Sequence, residues 1–174
     1  MEYKLATSTW GKEEINAIQE VIDTDKFSMG PKVEEYEKQF ASFFGSKYGV
    51  MCSSGSTANL LMVASLFFSK NPKLQAGDEI IVPAVSWSTT YFPLQQYGLN
   101  LKFVDIDIDT LNYNLIDLES AITSKTKAIM VVNLLGNSND FNVINGLIKD
   151  KDIVVIEDNC ESMGAKLDGK FTGT

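Results

Sequence analysis

Hydrophobic and polar positions follow a helical period at the start of the 174-residue chain. Apolar side chains recur at intervals of three and four residues, which predicts a helix over Lys12–Ile22 and a second helix from Pro31 to about Gly45. The stretch between them ends in glycine and proline, which interrupt helices, and proline suits the first turn of the helix that follows. We therefore predict a helical N-terminal part.

From Tyr48 onward, short apolar runs alternate with longer amphipathic segments. The apolar runs predict five strands, at Tyr48–Cys52, Asp78–Pro83, Asn100–Asp105, Thr126–Asn133 and Asp152–Glu157. The segments between them predict four helices, at Thr57–Ser69, Ser88–Tyr97, Ile116–Ile122 and Asn139–Lys149. Continuous Ile and Val strands separated by helices indicate an α/β fold with a mostly parallel sheet and helices on both faces.

The overall charge narrows the possible partners. Acidic residues number 23 against 15 basic ones, so the net charge is −8. This balance argues against non-specific binding of nucleic acid or of anionic membranes, because both require a basic surface. An anionic ligand is still possible, since the N-terminus of one helix can hold a phosphate.

The histidine and cysteine content argues against a metal site. The chain contains no histidine, the commonest zinc ligand and general base, and Cys52 and Cys160 fit no metal-binding spacing. No secretory leader is visible at the start of the chain, and the longest apolar runs are too short to cross a bilayer. We therefore expect a reduced, cytoplasmic protein that binds no metal.

Four short segments are candidates for a ligand site. Cys52–Asn59 is a turn of small residues before a predicted helix, which suits a phosphate but equally an ordinary capped turn. Asp158 follows an apolar strand, where α/β folds bind ligands, and Glu161 could reach the same pocket, although either acid could be a plain loop residue. Trp87 also follows a strand and could stack on a flat ring, or simply pack in the core or at an interface.

The fourth candidate is the interhelix segment Asp25, Lys26, Phe27 and Ser28. Its cation, aromatic ring and hydroxyl could hold a nucleotide diphosphate or a sugar, or the segment could be a simple connection. Thr174 ends the chain in a loop rich in Gly and Thr, after a predicted turn at Asp168-Gly169. We therefore expect a truncated chain.

Four motifs together resemble one enzyme family. Ser54–Leu60, Gly77–Ala84, Phe103–Asp107 and Ile156–Ala165 are similar to segments of the DegT/DnrJ/EryC1/StrS sugar aminotransferase family, and the resemblance runs over essentially the whole chain. It implies the fold type I, aspartate aminotransferase-like architecture of pyridoxal-phosphate (PLP) enzymes. Residues 1–174 would then be the N-terminal portion of the PLP-binding large domain, without the remainder of that domain and without the C-terminal small domain.

The resemblance also implies roles for the candidate residues. Gly55 and Ser56 would hold the PLP phosphate, and Trp87 would stack on the ring. Asp158 would pair with the protonated pyridine nitrogen and keep the ring a good electron sink, and Glu161 would lie near the polar edge of the ring.

The same comparison implies a nucleotide-sugar site and a base that this chain lacks. The segment Asp25–Ser28 would line the GDP-sugar site. The catalytic base is expected beyond Thr174, and neither Lys166 nor Lys170 stands at the position of that base, so no catalytic residue is assigned here.

Two departures from the common family pattern favour one branch. Most sugar aminotransferases have Gln where this chain has Glu161, and Ser-Gly-Thr where it has Ser54-Gly55-Ser56-Thr57. The branch that shares these features removes the C3 hydroxyl of a GDP-linked 4-keto-6-deoxy sugar in deoxysugar and O-antigen lipopolysaccharide biosynthesis. It uses PLP and glutamate as amino donor, and a histidine replaces the Schiff-base lysine.

The resemblance implies a homodimer, with sites that draw on both subunits, and a fragment without turnover of its own. Three alternatives stay open. The full-length protein could be a nucleotide-sugar aminotransferase of the same family, the chain could be a non-catalytic binding remnant, or it could be a doubly wound binding module with no role for PLP.

Overall fold

Residues 7–174 are described by a computed structural model, in which the chain forms one unit that ends at Met51 and another that begins at Cys52. The start of the chain, where the sequence predicts no leader, lies outside the described residues. The first unit contains two helices, α1 (Lys12–Asp23) and α2 (Pro31–Phe44). Both predicted helices are confirmed, and α2 begins at the predicted proline and ends at Phe44, where Gly45 is the C-cap and its φ of 72° suits glycine.

The predicted strand Tyr48–Cys52 is wrong. Residues 48–52 adopt neither helix nor strand, and Tyr48 and Val50 are exposed. The backbone N–H of Met51 donates to the carboxylate of Glu37 on α2, at 2.8 Å, instead of to a neighbouring strand. A short apolar run becomes a strand only where another strand can satisfy its backbone, and here a side chain accepts the N–H of Met51.

The second unit is the α/β part of the molecule. Its sheet contains the parallel strands β1 (Glu79–Pro83), β2 (Asn100–Val104), β3 (Thr126–Val132) and β4 (Val154–Asp158), in the spatial order β2-β1-β3-β4. Its helices are α3 (Gly55–Phe68), α4 (Ser88–Gln96), α5 (Leu115–Ala121) and α6 (Phe141–Ile148). The predicted parallel α/β architecture is confirmed.

Two apolar clusters cover the two faces of this sheet. On one face, Ile80, Val82 and Met130 pack with Val63 of α3 and Leu94 of α4. On the other face, alternate residues of the same strands pack with residues of α5 and α6: Ile81, Ile129, Val131, Leu118 and Ile144. Consecutive strand residues point to opposite sides, so a strand buried on both sides must be apolar where it packs, as β1 is over residues 80–82 and β3 over residues 128–132.

The strand order creates a crevice at the carboxyl edge of the sheet. From β1 the chain moves to β2 on one side, and it then returns to β3 and β4 on the other side of β1. Loops that follow β1 and β3 therefore diverge, and ligands of open α/β sheets bind at such a point. Trp87, Asn133 and Asp158 all lie at or just past the carboxyl ends of these strands.

Smaller elements that the sequence pattern did not predict follow β3 and β4. A 3-10 turn spans Leu134–Gly136, and a two-stranded hairpin is formed by β5 (Lys166–Leu167) and β6 (Lys170–Phe171). The predicted turn at Asp168-Gly169 is confirmed as the tip of this hairpin, with φ of 51° and 79°. In residues 7–174, no helix is both long and apolar enough to cross a membrane.

Candidate functional site

The N-terminus of α3 forms the first part of the site. Ser54 caps the helix by accepting a hydrogen bond from the backbone N–H of Thr57 at 3.3 Å, and the Thr57 hydroxyl accepts from the N–H of Ser54 at 3.0 Å. Gly55 and Ser56 are the first two helical residues, and both are exposed. A Cβ placed on Gly55 would meet no atom within 4 Å. The first turn is thus open to an approaching anion, in the position where helix N–H groups and the helix dipole favour one.

Asp158 is the centre of the second part. It is the last residue of β4, one residue further into the strand than the sequence predicts, and its side chain is 6% exposed. Its Oδ2 accepts hydrogen bonds from Asn59 Nδ2 of α3 at 2.9 Å and from Thr90 Oγ1 of α4 at 3.3 Å. Its Oδ1 accepts from the backbone N–H of Cys160 at 3.0 Å. Residues from α3, α4 and β4 therefore meet at this carboxylate.

No cation of the described chain neutralises Asp158. The ion pairs formed within residues 7–174 are Lys32–Glu20, Lys38–Glu34 and Lys73–Asp152, and each is at the surface. A buried carboxylate is costly unless a cation or hydrogen bonds compensate for its lost hydration. Within residues 7–174 the hydrogen-bond donors to Asp158 named above are all uncharged, so the site fits a ligand that brings a positive charge, such as the protonated nitrogen of a pyridine ring.

The negative charge of this region acts on the neighbouring thiol. Partial desolvation raises the pKa of Cys160 to about 12, and the carboxylates of Asp158 and Glu161 contribute to the same shift. The thiol is therefore protonated near neutral pH and is not a nucleophile. Among the described Cys, Asp and Glu residues there is no group that could hold a metal ion.

Trp87 lies at the N-cap of α4 and is 73% exposed. Packing in the core is wrong, because Trp87 belongs to neither apolar cluster of the unit, and packing at an interface stays an alternative to stacking on a ring. Its carbonyl accepts the backbone N–H of Thr90, the residue whose hydroxyl reaches Asp158. The first turn of α4 therefore contains both the exposed Trp87 and the residue that donates a hydrogen bond to the buried Asp158.

Glu161 contacts the loop that follows β3. Its Oε2 accepts a hydrogen bond from the backbone N–H of Leu135 at 2.8 Å. Leu135 has a φ of 52°, in the left-handed region that leucine rarely adopts, and Gly136 follows with 84°. The carboxylate stabilises this turn, and its predicted place near the polar edge of a cofactor ring stays a prediction.

The predicted nucleotide-sugar segment lies in the first unit. Asp25, Lys26, Phe27 and Ser28 form the connection between α1 and α2, and all four are exposed. Asp25 has a φ of 55°, which turns the chain sharply after α1. The role of these four residues as a sugar-nucleotide site stays a prediction.

A group of buried asparagines was missed by the sequence reasoning. Asn133, at the end of β3, donates to Glu157 Oε1 at 2.6 Å and to Asn159 Oδ1 at 2.9 Å, and its own Oδ1 accepts from the backbone N–H of Asn139 at 2.9 Å. The side chain of Asn139 in turn donates to Asn112 at 3.0 Å. The available signal was a polar residue that directly ends the apolar run of β3, as Asp158 ends β4.

Comparison with known proteins gives a family match and relatives of high sequence identity. The family model described as the DegT/DnrJ/EryC1/StrS aminotransferase family matches residues 8–174. The chain is 66% identical, over all 174 residues, to GDP-4-keto-6-deoxy-D-mannose 3-dehydratase of Yersinia pseudotuberculosis, and it covers 44% of that protein.

Solved structures give the same result. The crystal structure of a GDP-4-keto-6-deoxymannose-3-dehydratase with a trapped PLP–glutamate geminal diamine matches with a TM-score of 0.97 at 63% identity, over 99% of this chain and 45% of that one. A mutant of such an enzyme with bound GDP-perosamine matches with the same TM-score, identity and coverage. The fold is therefore that of PLP-dependent enzymes of this type, in part. The chain spans less than half the length of these relatives, and it belongs to the DegT/DnrJ/EryC1/StrS aminotransferase family.

Proposed function

We propose that the complete protein is a PLP-dependent 3-dehydratase that removes the C3 hydroxyl of a GDP-linked 4-keto-6-deoxy sugar. These 174 residues would supply the phosphate-binding and pyridine-binding part of its site, as the N-terminal portion of the large domain. The identity of 66% over the whole chain with a dehydratase of this specificity supports the substrate class. The site itself supports the cofactor.

The observation that carries the proposal is the buried carboxylate of Asp158, which receives hydrogen bonds from uncharged donors alone. Such an acid suits a protonated ring nitrogen, and PLP, when bound, supplies the electron sink that the reaction needs. The N–H groups of Gly55 and Ser56 would bind its phosphate, the exposed ring of Trp87 would cover one face, and Glu161 would lie at the polar edge.

The sugar nucleotide would be held by the segment Asp25–Ser28. The ammonium group of Lys26 suits a diphosphate, and the exposed ring of Phe27 suits a base or a sugar face. Glutamate as amino donor, a homodimer and a cytoplasmic location belong to the same proposal. So does a histidine base beyond Thr174, in place of the lysine of aminotransferases.

The test is incubation of the full-length protein with PLP, glutamate and GDP-4-keto-6-deoxymannose, followed by mass spectrometry of the sugar nucleotide. Dehydratase activity gives a product that has lost the C3 oxygen, while glutamate is oxidised to 2-oxoglutarate. An aminotransferase instead gives a 4-amino sugar that retains this oxygen. The second product would replace the proposal by the aminotransferase alternative, and no conversion would favour a binding remnant.

Two controls sharpen this experiment. Asp158→Asn in the full-length protein should abolish conversion, because the amide carries no negative charge for the ring nitrogen. Residues 1–174 alone should show no turnover, since the predicted base is absent from them. Conversion by this shorter chain would refute the predicted place of the base.

A further inference from the structure

The hydrogen bonds of Asp158 are divided unequally between its two oxygens. Oδ2 accepts from both Asn59 and Thr90, whereas the backbone N–H of Cys160 donates to Oδ1 and the Cys160 thiol also interacts with the carboxylate. Each carboxylate oxygen offers about two acceptor positions. The described chain therefore fills Oδ2 with an amide and a hydroxyl donor, whereas beyond one backbone N–H the carboxylate has only the weak S–H donor of Cys160, which a charged ligand can displace from Oδ1.

Asn59 is fixed in the orientation that this arrangement needs. It is 4% exposed, and its Nδ2 also contacts the carbonyl oxygen of Thr89 at 3.4 Å. A carboxylate and a carbonyl can only accept hydrogen bonds, so both require the NH2 group of the amide on this side. The amide can neither flip nor exchange its partner for water, and it therefore prevents rotation of the Asp158 carboxylate.

Thr90 acts in the same direction. Its hydroxyl has one proton, which Oδ2 of Asp158 accepts, so the Ser86 hydroxyl at 2.9 Å must donate to Thr90. The side chain of Thr90 is 1% exposed, which again excludes water. Both donors to Oδ2 are uncharged, so they hold the carboxylate in place without neutralising it.

We propose that Asn59 is a positioning residue, supported by Thr90, that aims Oδ1 of Asp158 at the ring nitrogen of the cofactor. The inference rests on the proposed function, because it takes PLP as the ligand. A lysine in place of either donor would form an ion pair with Asp158 and compete with the ring nitrogen for its charge. The neutral amide leaves the full charge available to the ligand.

The experiment measures PLP binding by the full-length protein, with PLP alone as the probe and no sugar present. Absorbance titration gives the dissociation constant for the wild type, Asn59→Ala, Asp158→Asn and the double variant. A hydrogen bond to a charged group corresponds to about tenfold or more in affinity, so Asn59→Ala, which loses the part of it that orients Asp158 for the ligand, should weaken binding by up to about tenfold. Because Asn59 acts through Asp158, the same change should have less than about a twofold effect in the Asp158→Asn background.

Asn112→Ala is the matched control. Asn112 is a buried asparagine, 7% exposed, whose side chain is hydrogen-bonded to Ser138 and Asn139 and not to Asp158. It should lose stability without losing PLP affinity. A second readout is the 15N chemical shift of ring-labelled PLP, which should move toward the unprotonated value in Asn59→Ala and stay unchanged in Asn112→Ala.

Thr90→Val keeps the test informative if Asn59→Ala does not fold, because valine has the shape of threonine and removes only the donor. It should weaken PLP binding in the same direction. If Asp158→Asn weakens binding while Asn59→Ala or Thr90→Val, folded by circular dichroism, binds like the wild type, the positioning role is overturned and the proposed function stands. If the wild type does not bind PLP at all, the proposed function falls and this inference falls with it.

Discussion

Replacement of Asn133 by alanine should destabilise the protein strongly, although Asn133 lies outside both apolar clusters. The residue is fully buried and serves three partners. Its Oδ1 is the acceptor for the buried backbone N–H of Asn139, and its Nδ2 donates to Glu157 and Asn159. The size of the loss can be worked out partner by partner.

The Asn139 N–H would remain buried without an acceptor, which costs about 1–3 kcal/mol. Glu157 would lose a short hydrogen bond to its carboxylate, but it is half-buried, so water replaces part of it and about 1 kcal/mol remains. Asn159 Oδ1 keeps its hydrogen bond from the Ser162 hydroxyl at 2.6 Å, so little is lost there. Together the free energy of unfolding should fall by about 3 kcal/mol.

The assay is urea denaturation of the full-length protein, with Asn100→Ala as the control. Asn100 is exposed and donates to the carbonyl of Gly77 at 2.6 Å, so water can replace it and the loss should be below about 1 kcal/mol. Asn133→Asp is a second test, since it keeps the acceptor for Asn139 but places a carboxylate against Glu157. It should also be destabilised, because two carboxylates then repel each other where an amide donated before. Equal stability of Asn133→Ala and Asn100→Ala would refute the reasoning.

Three further outcomes are expected. With a pKa of about 12, Cys160 should react with iodoacetamide at pH 8 at least about a hundredfold more slowly than free cysteine, as measured by mass spectrometry of its peptide. Reaction at the rate of free cysteine would contradict the desolvation of the thiol and its place beside Asp158 and Glu161. Trp87→Ala should weaken PLP binding but change the free energy of unfolding by less than about 0.5 kcal/mol, because the indole is exposed. A large loss of stability would mean that the indole packs inside the protein. Gly49→Ala should lower the melting temperature, because its Cβ would lie 2.8 Å from the carbonyl oxygen of Glu37. Gly146→Ala should raise the melting temperature slightly, because its Cβ would have no atom within 4 Å. The opposite order of melting temperatures would contradict the described backbone.

The sequence was informative where local pattern and burial agree. The strands β1 and β3 are apolar at every position that packs, so their pattern alone predicts a sheet covered on both faces. The segment at Tyr48 has a similar apolar character but forms no strand, and the N–H of its Met51 donates instead to Glu37, 14 residues before Met51. Local pattern contains no information about such a partner.

The candidate site was predictable in its parts and not in their connections. Asp158, Trp87 and the turn at Gly55 follow from motifs, because each comes directly after a strand or before a helix. The pairing of Asp158 with Asn59 and Thr90 joins residues that are 99 and 68 positions apart. Only the fold brings these residues together, so the sequence could indicate that an acid lies in the crevice and not what holds it there.

Glu157 and Asp158 are neighbours at the end of β4, but their carboxylates have different roles. Consecutive strand residues point to opposite faces, so Asp158 lies on the side of α3 and α4, and Glu157 on the side of α6. Each carboxylate accepts a hydrogen bond from an asparagine amide, Asp158 from Asn59 and Glu157 from Asn133. The amide at Glu157 belongs to a network that ends in the backbone of the neighbouring loop, whereas the amide at Asp158 occupies Oδ2 and leaves Oδ1 to the N–H of Cys160 and to a ligand. The same pairing therefore stabilises the loop after β3 on one face of the sheet and prepares a charge for a ligand on the other.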